Sequence, residues 1–537
     1  MAVADTAPSA KVPQDSSRDG GKNSSGNPLP TMKSSVGADV TAGFLVFLIA
    51  LPLCLGIAKA SGFPPIAGVM TAIFGGLISG LFSNSELTIK GPAAGMIAIV
   101  LGAMTDFGYT GADPSGDLSA YKLVLAVGVI AGAAQILFGL VRAGVLCEFF
   151  PLAPVHGLLA SIGLIIIAKQ IHPVLGVASP KFGPVGCYAK IPDSIMHMDV
   201  KVASIGLLSL AIMFLYPVLK TRLKFIGKVP AQLLVLLVAI PMGQALHLPA
   251  DKLISLPEHL SDAIVTPDFS QVFGGTSLKW ILMFALVGTL ESMLSAKAID
   301  LLDPWKRKTD MNRDVLGVGV ANTAVAAVGG LPMISEILRS SANISNGART
   351  RTSNAAHGAF LLLALVFLAP LVKLIPLAAL GAMLVFAGFR LASPKEFLHM
   401  WKSGVGQFLV FCLTIAFIIP EGHLLDGIFV GVVAELLLNI FAGASLTTLF
   451  KPHIDVRREY GDLRLNVDGS LTFTNWIPFL RTLRKADVAR EGRVIVDLTH
   501  AQTVDRTARD KLTALERDFS VEGRELQIVG LATAAAH

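Results

Sequence analysis

Gly329-Gly330-Leu331-Pro332-Met333-Ile334-Ser335-Glu336-Ile337-Leu338-Arg339-Ser340-Ser341 decides how this chain is read. The run before it, Val315 to Val328, carries no charge and is apolar enough for lipid. It is too short for a full crossing, which needs about 20 residues. Gly and Pro in succession stop one helix, and Pro is tolerated in the first turn of the next. Ser335, Glu336 and Arg339 are therefore expected in the opening turns of a new helix, at a depth where lipid-facing polar groups are not tolerated. Interrupted helices at membrane depth line binding sites.

The rest of the composition agrees with a membrane setting. Of 537 residues, 53% are hydrophobic and 15% charged, against about 25% charged in soluble domains. Mean hydropathy is +0.65. The net charge of +6 with pI about 9.0 is explained by basic loops on one side of a membrane, so no nucleic-acid partner is expected. Cys54, Cys147, Cys187 and Cys412 are far apart and show no metal spacing, so neither a disulfide nor a metal role is assigned. Without a nucleophile–base set, an enzyme is not expected.

Outward from the break, apolar segments follow one another from 40–58 to 424–446, about fourteen in all. Those beginning near 92, 315 and 333 are short. Residues 1–36 are rich in Ser, Gly, Pro and Asp and lack an apolar core, which predicts a disordered cytoplasmic tail rather than a signal peptide. Asn23-Ser24-Ser25 matches a glycosylation sequon by chance on that side. An even number of spans puts both termini on one side. Lys220, Arg222, Lys224 and Lys228, then Lys306, Arg307 and Lys308, then Arg349 and Arg351, then Lys451, Arg457 and Arg458 all fall on that side. Segment 106–120 has Asp106, Asp113 and Asp117 without Lys or Arg and falls opposite. The orientation predicts cytoplasmic termini. Residues 37–450 thus form the membrane domain. From 451 to 537, alternating stretches (462–467, 470–474, 493–498, 525–529) and helix-like runs (477–485, 507–519) predict a small cytoplasmic α/β domain, shortened at its C-terminal end.

A second break, Ile89-Lys90-Gly91-Pro92-Ala93-Ala94-Gly95, opens the third segment of the first seven, as Leu331-Pro332 opens the third of the second seven. Matched breaks in two halves point to inverted repeats around a transporter site. With seven spans per half, two half-helix N-termini face each other. Each exposes unpaired N–H groups and favours an anion by about 0.3–1 kcal/mol, or about 2 where partly buried. The small residues Ala93, Ala94 and Gly95 let a ligand approach the backbone.

These breaks, together with Ala285-Leu286-Val287-Gly288-Thr289-Leu290-Glu291-Ser292 and Gly347-Ala348-Arg349-Thr350-Arg351-Thr352-Ser353, resemble the SulP family of sulfate permeases and bicarbonate transporters. The tail resembles the STAS domain those proteins carry. The resemblance runs from about Asp39 to the C-terminus. It implies two interlocked seven-helix inverted repeats divided into core and gate domains, and a homodimer in the inner membrane. It also implies an anion held between positions matching Ala93 and Ser335 to Arg339, with Ile337 among them, near Leu53 and Ile57 of the first helix. Glu291 matches an acidic position linked to cation or proton coupling, and Ser295 shares its face one turn on. A Na⁺ beside Glu291 and Ser295, or a proton, is the coupling ion expected; no other cofactor is implied.

Three departures from the family stand out: Leu53 where many members have Gln, Ala93 in place of a hydroxyl residue, and Glu336 where small residues are usual. Glu291 pairs either with Arg339 or with the coupling cation. Glu336 either caps its helix or acts as a built-in anion that must move or be protonated. Lys59 and Lys90 border spans and are expected to snorkel outward. His156 and His357 read as packing residues, and Asp300 and Asp303 as solvated. Thr507 reads as a helix cap. Asn343, Arg349 and Arg351 are expected to be architectural. The sequence predicts a secondary transporter of a small oxyanion, sulfate or bicarbonate, coupled to Na⁺ or H⁺. The alternatives are a nucleobase or ascorbate transporter of related fold and a membrane regulator that senses anions without turnover.

Overall fold

The computed structural model describes residues 30–111, 113–142, 144, 149–180, 183–222, 229–420, 424–459, 461–487, 492–521 and 523–531. The chain enters the bilayer through α1 (Met32–Ala60). Thr31 Oγ1 accepts from Ser34 N and Ser34 Oγ from Thr31 N, a reciprocal cap that starts the helix at Met32. The expected unstructured tail to residue 36 is therefore too long by five residues (32–36). Residues 1–29, with the Asn23 sequon, and also Lys224, Lys228 and Cys147 lie outside the described residues.

The first repeat continues with α2 (Pro65–Leu77), α3 (Ile97–Asp106), α4 (Pro114–Leu140), α5 (Leu152–Val174), α6 (Val200–Arg222) and α7 (Ala231–Ala245). The second comprises α8 (Gly275–Leu302), α9 (Met311–Ala326), α10 (Ile337–Ser345), α11 (Thr352–Phe367), α12 (Leu377–Leu391), α13 (Val405–Ile418) and α14 (Leu424–Phe441). Among the described residues, seven helices are long and apolar enough to cross a membrane unaided. The others are shorter, and α3 and α10, at 10 and 9 residues, span only about half of the hydrocarbon layer at 1.5 Å per residue.

Packing reveals the repeat. Helix α2 packs on α11 as α9 packs on α4, and α1 on α11 as α8 on α4. Likewise α6 packs on α12 as α13 on α5, and α7 on α6 as α14 on α13. Each pair maps onto its counterpart seven helices along. Helices α1–α4 and α8–α11 form one bundle, and α5–α7 with α12–α14 a second, joined through α1 against α12 and α7. A large apolar cluster from both bundles, including Ile57, Ala93, Met96, Leu158, Ile162, Ile334 and Leu384, fills the space between them.

Neither break opens directly into a helix. Ile89–Gly91 forms strand β1 and Ile334–Glu336 forms β2, and α10 begins only at Ile337. The expectation that Ser335 and Glu336 occupy the opening turns is corrected: Ser335 is extended, and Glu336 is the N-cap. Pro332 removes a donor and holds the preceding residue extended, so the helix waits until the backbone has paired across to β1.

After α14, β3 (His453–Glu459), β4 (Asp462–Leu471), α15 (Trp476–Ala486), β5 (Val494–Asp497), β6 (Ala501–Val504), α16 (Arg506–Val521) and β7 (Leu526–Val529) form an α/β domain. Its sheet runs β3-β4-β5-β7, with β6 also on β4; β3 is antiparallel to β4 and the other pairings are parallel. The expected strand 462–467 and the first two residues of the expected strand 470–474 merge into β4, while 472–474 form the turn that leads to α15. Strand β3 is largely exposed along one edge and lacks the alternating pattern that would have revealed it.

This domain docks where the basic loops gather. Lys308 Nζ lies 3.6 Å from Asp518 of α16, and Arg307 donates to the Arg349 carbonyl (2.9 Å). Asp113 and Asp117 lie at the N-terminal end of α4, which is 27 residues long. Asp303, expected to be solvated, is instead buried in an ion pair with Arg307 (2.7 Å), and Asp300 accepts from Thr309 N and Oγ1 (2.8 and 2.7 Å). The short loop 303–310 between α8 and α9 brings these groups together.

Candidate functional site

The two breaks cross as a short antiparallel ladder: Ile89 opposite Glu336, Lys90 opposite Ser335, Gly91 opposite Ile334. Half-helices α3 and α10 run away from this crossing in opposite directions. Extended backbone at membrane depth needs partners for every polar group, and neighbouring helices supply them. Thr71 Oγ1 accepts from Leu331 N (2.8 Å), and Asn322 Oδ1 from Met333 N (2.7 Å), while Asn322 Nδ2 donates to Met333 O (3.1 Å) and to Gln135 Oε1 (2.8 Å). Ser292 Oγ accepts from Ser335 N (3.1 Å), and Ser340 Oγ from Ile89 N (2.8 Å). Tyr121 donates to Gly329 O at 2.5 Å.

On one face of the ladder lies a buried ion pair. Lys90 Nζ donates to Asp314 Oδ1 of α9 (2.7 Å), Thr88 Oγ1 (2.8 Å) and Ser335 Oγ (3.0 Å). Ser335 Oγ and Ser83 Oγ donate to Asp314 as well (3.2 and 2.5 Å). Both charged side chains are essentially fully buried. One expectation is corrected here. Lys90 does not snorkel, because a carboxylate and two hydroxyls satisfy its ammonium group inside. The Ser335 hydroxyl joins this network, and strand alternation turns it away from Glu336.

The opposite face carries the other charges. Glu336 Oε2 accepts from Arg339 N (2.6 Å) and lies 3.5 Å from Arg339 Nε. The buried Arg339 guanidinium reaches back across the crossing, donating to Pro92 O and to Cys54 Sγ of α1 (3.5 Å). A side chain at Gly91 would collide with it. Glu291 is buried on α8, and its Oε1 has no hydrogen-bond partner. Both its oxygens lie where a Cβ at Gly95 would sit, so the absent side chain of Gly95 admits the carboxylate to the start of α3. The alternative pairing of Glu291 with Arg339 is not formed: Arg339 takes Glu336 instead.

The remaining predicted residues divide by accessibility. Ile57, Ala93, Gly95 and Ser295 are buried, whereas Leu53, Ala94 and Glu336 are half-buried and Ile337 is 42% exposed. No side chain caps the start of the first half-helix at Ala93–Gly95, so its N–H end stays open. The structure thus sets one open helix end and one self-capped end at the same crossing, with Glu291 beside the open one. His357 is fully buried with neither ring nitrogen partnered, and His156 lies 3.3 Å from Glu396. Asn343 donates to Leu87 O and Ser353 Oγ (3.1 and 2.8 Å), and Arg351 to Gly80 O and Ser83 O (3.3 and 2.8 Å), tying the end of α10 to its surroundings.

Residues 37–414 match the model of the sulfate permease family. The chain belongs to the sulfate permease family. Among its relatives in that family, a putative sulfate transporter, YvdB of Bacillus subtilis, is 28% identical over 92% of this chain and 91% of its own. The bicarbonate transporter BicA of Picosynechococcus is 25% identical over 65% of this chain and 60% of its own. The solved transmembrane domain of a cyanobacterial BicA shares the fold at TM-score 0.62, with 24% identity, covering 74% of this chain and 97% of that one. The structure of SLC26A9 does so at TM-score 0.67, with 15% identity, over 94% of this chain and 85% of that one. This family member is a multi-pass membrane transporter for inorganic anions, not an enzyme.

Lys90, Asp314, Ser292, Asn322 and Gln135 build the crossing, yet the sequence did not single them out for it. The available signal was an unpaired Lys beside one break and an Asp at the edge of the short run before the other.

Proposed function

We propose that this protein is a secondary transporter of a small oxyanion, sulfate or bicarbonate, driven by a Na⁺ or proton gradient through Glu291. The observation that carries the reading is the unpartnered Glu291 carboxylate seated against Gly95 at the uncapped end of α3. A helix N-terminus attracts an anion and a buried carboxylate attracts a cation, so the two ligands stabilise one another when both are present. Ala93, Ala94 and Gly95 offer backbone N–H groups to the anion, with Leu53, Ile57 and Ile337 as apolar walls. Arg339 supplies positive potential from behind the crossing. Ser295, one turn on along the same face of α8, is the neutral oxygen ligand assigned to a Na⁺ at Glu291. The division into two bundles, one carrying the crossing and one packed against it, supports a reading of alternating access.

In this reading the protein is a homodimer in a bacterial inner membrane with both termini cytoplasmic, as the basic loops on the face of the C-terminal domain favour. That domain, a mostly parallel sheet with two helices, is read here as STAS-like. Uptake of labelled sulfate and of labelled bicarbonate into proteoliposomes, with and without Na⁺ and pH gradients, tests the reading. Uptake of one anion is expected to depend on one gradient and to lose that dependence in Glu291→Gln. Identical flux with both gradients removed refutes the coupling.

A further inference from the structure

The two half-helix ends at the crossing are not equivalent. The start of α3 has no side-chain cap, whereas α10 is capped by its own Glu336. The N–H of Arg339, which a bound anion at this end would use, is donated to Glu336 Oε2 at 2.6 Å. A carboxylate already sits where an oxyanion is to bind.

Three observations separate this carboxylate from an ordinary buried cap. Strand alternation sets Glu336 on the face away from Lys90 and Asp314, so that ion pair does not consume its charge. Its side chain is 15% exposed where that of Arg339 is 1%, so it lies at the accessible edge of the crossing and can turn outward without leaving a packed core. Arg339 Nε, 3.5 Å away, is buried and lacks any hydrogen-bond partner, so the guanidinium keeps an unspent donor beside this position. The other groups around it are Glu291 of α8, whose charge interacts with that of Glu336, Cys54 of α1, and His357 of α11, whose ring lies within electrostatic reach of Arg339.

We propose that the Glu336 carboxylate is a tethered occupant of the anion position at the start of α10, which the transported oxyanion displaces in order to bind. This rests on the anion-transport reading and adds to it a device that sets affinity. A state in which the site is filled by its own side chain is not competent to bind, and apparent affinity falls by the competent fraction. Glu336 therefore holds the protein at low affinity, suited to an abundant anion, and returns to the helix end after release.

The test separates the charge from the cap. Ser and Asp both cap helix N-termini well, so Glu336→Ser keeps a cap without charge and Glu336→Asp keeps both. KM and Vmax for sulfate and for bicarbonate are measured in proteoliposomes at one pH, with thermal unfolding of each purified variant alongside. KM is expected to fall roughly three- to tenfold in Glu336→Ser, in keeping with the strength of a carboxylate at a helix end, and to stay near wild type in Glu336→Asp. Glu336→Gln, which keeps the side-chain size, is expected to follow Glu336→Ser and serves if the latter does not fold. A KM unchanged or raised in both uncharged variants overturns the proposal and leaves a simple helix cap, with the transport reading intact. Absence of saturable uptake of either anion by the wild-type protein overturns both.

Discussion

Gly95 is the residue on which the coupling geometry turns. Its missing Cβ leaves the space that both Glu291 oxygens occupy. In Gly95→Ala the carboxylate has to move off the helix end, while the fold loses little because Ala is at least as good as Gly in a helical turn. Gradient-driven uptake is expected to drop tenfold or more with the unfolding temperature nearly unchanged; retained uptake would separate Glu291 from coupling. The Lys90–Asp314 pair makes a different prediction. Removing one partner of a buried ion pair leaves an uncompensated charge and costs about 3–5 kcal/mol, whereas replacing both with apolar groups is often nearly neutral. Asp314→Leu is therefore expected to be strongly destabilised in detergent, and Asp314→Leu with Lys90→Met to regain most of the loss. Equal destabilisation of single and double variants would show that the pair's charge is not what matters.

At the scale of elements, the stretch from Gly329 to Glu336 is held by side chains from several helices and only three residues of strand pairing. Asn322 is its most connected support, with Oδ1 and Nδ2 bracketing Met333 and Nδ2 also meeting Gln135. Asn322→Leu leaves a buried N–H and C=O without partners, at about 1–3 kcal/mol for each group. A fall in unfolding temperature is expected, together with a Vmax loss larger than Gly95-distant surface variants show, because the crossing itself loosens. If the melt is unchanged, water or a neighbouring side chain has replaced the amide.

At the scale of the whole molecule, the C-terminal domain is bonded to both helix bundles. Thr507 Oγ1 accepts from Leu152 N at the start of α5 (3.1 Å), and Asn439 of α14 donates to Asp505 (3.3 Å). Lys308, between α8 and α9, meets Asp518. Thr507 was expected to cap its own helix. Asp505 does that, accepting from Ala508 N (2.6 Å) and Phe473 N (2.7 Å), and Thr507 caps α5 instead. Burial pushes the Asp505 carboxyl up from 3.8 to about 6, against the hydrogen bonds that favour its charged form. A raised folded-state value means that the folded protein holds a proton that the unfolded chain has already lost. The stability from this group is thus full below pH 3.8 and is lost as pH rises through about 6. Unfolding of the C-terminal domain, followed in the full-length protein from pH 4 to 7, is expected to show this decline, and Asp505→Asn to flatten it. A slope unchanged in the variant would assign the pH dependence elsewhere.

The fold was largely legible in the chain because a bilayer imposes local rules. Apolar length, the placing of basic loops and two Gly-Pro-type breaks at matched positions each show in a window of a few residues, and together they dictate an inverted repeat. Glu291, Gly95, Glu336 and Arg339 were legible too, as polar or minimal residues where lipid forbids or close approach demands them. What local pattern could not reveal is which of these groups meet. Lys90 looked like a border lysine until Asp314, 224 residues on, proved to share its pocket. The face on which the Ser335 hydroxyl lies was fixed only by its pairing with Lys90. Those facts depend on register across a crossing and on packing between distant helices. Sequence alone therefore determined that the membrane would hold two opposed helix ends, and the tertiary structure decided that one is open and the other filled by Glu336.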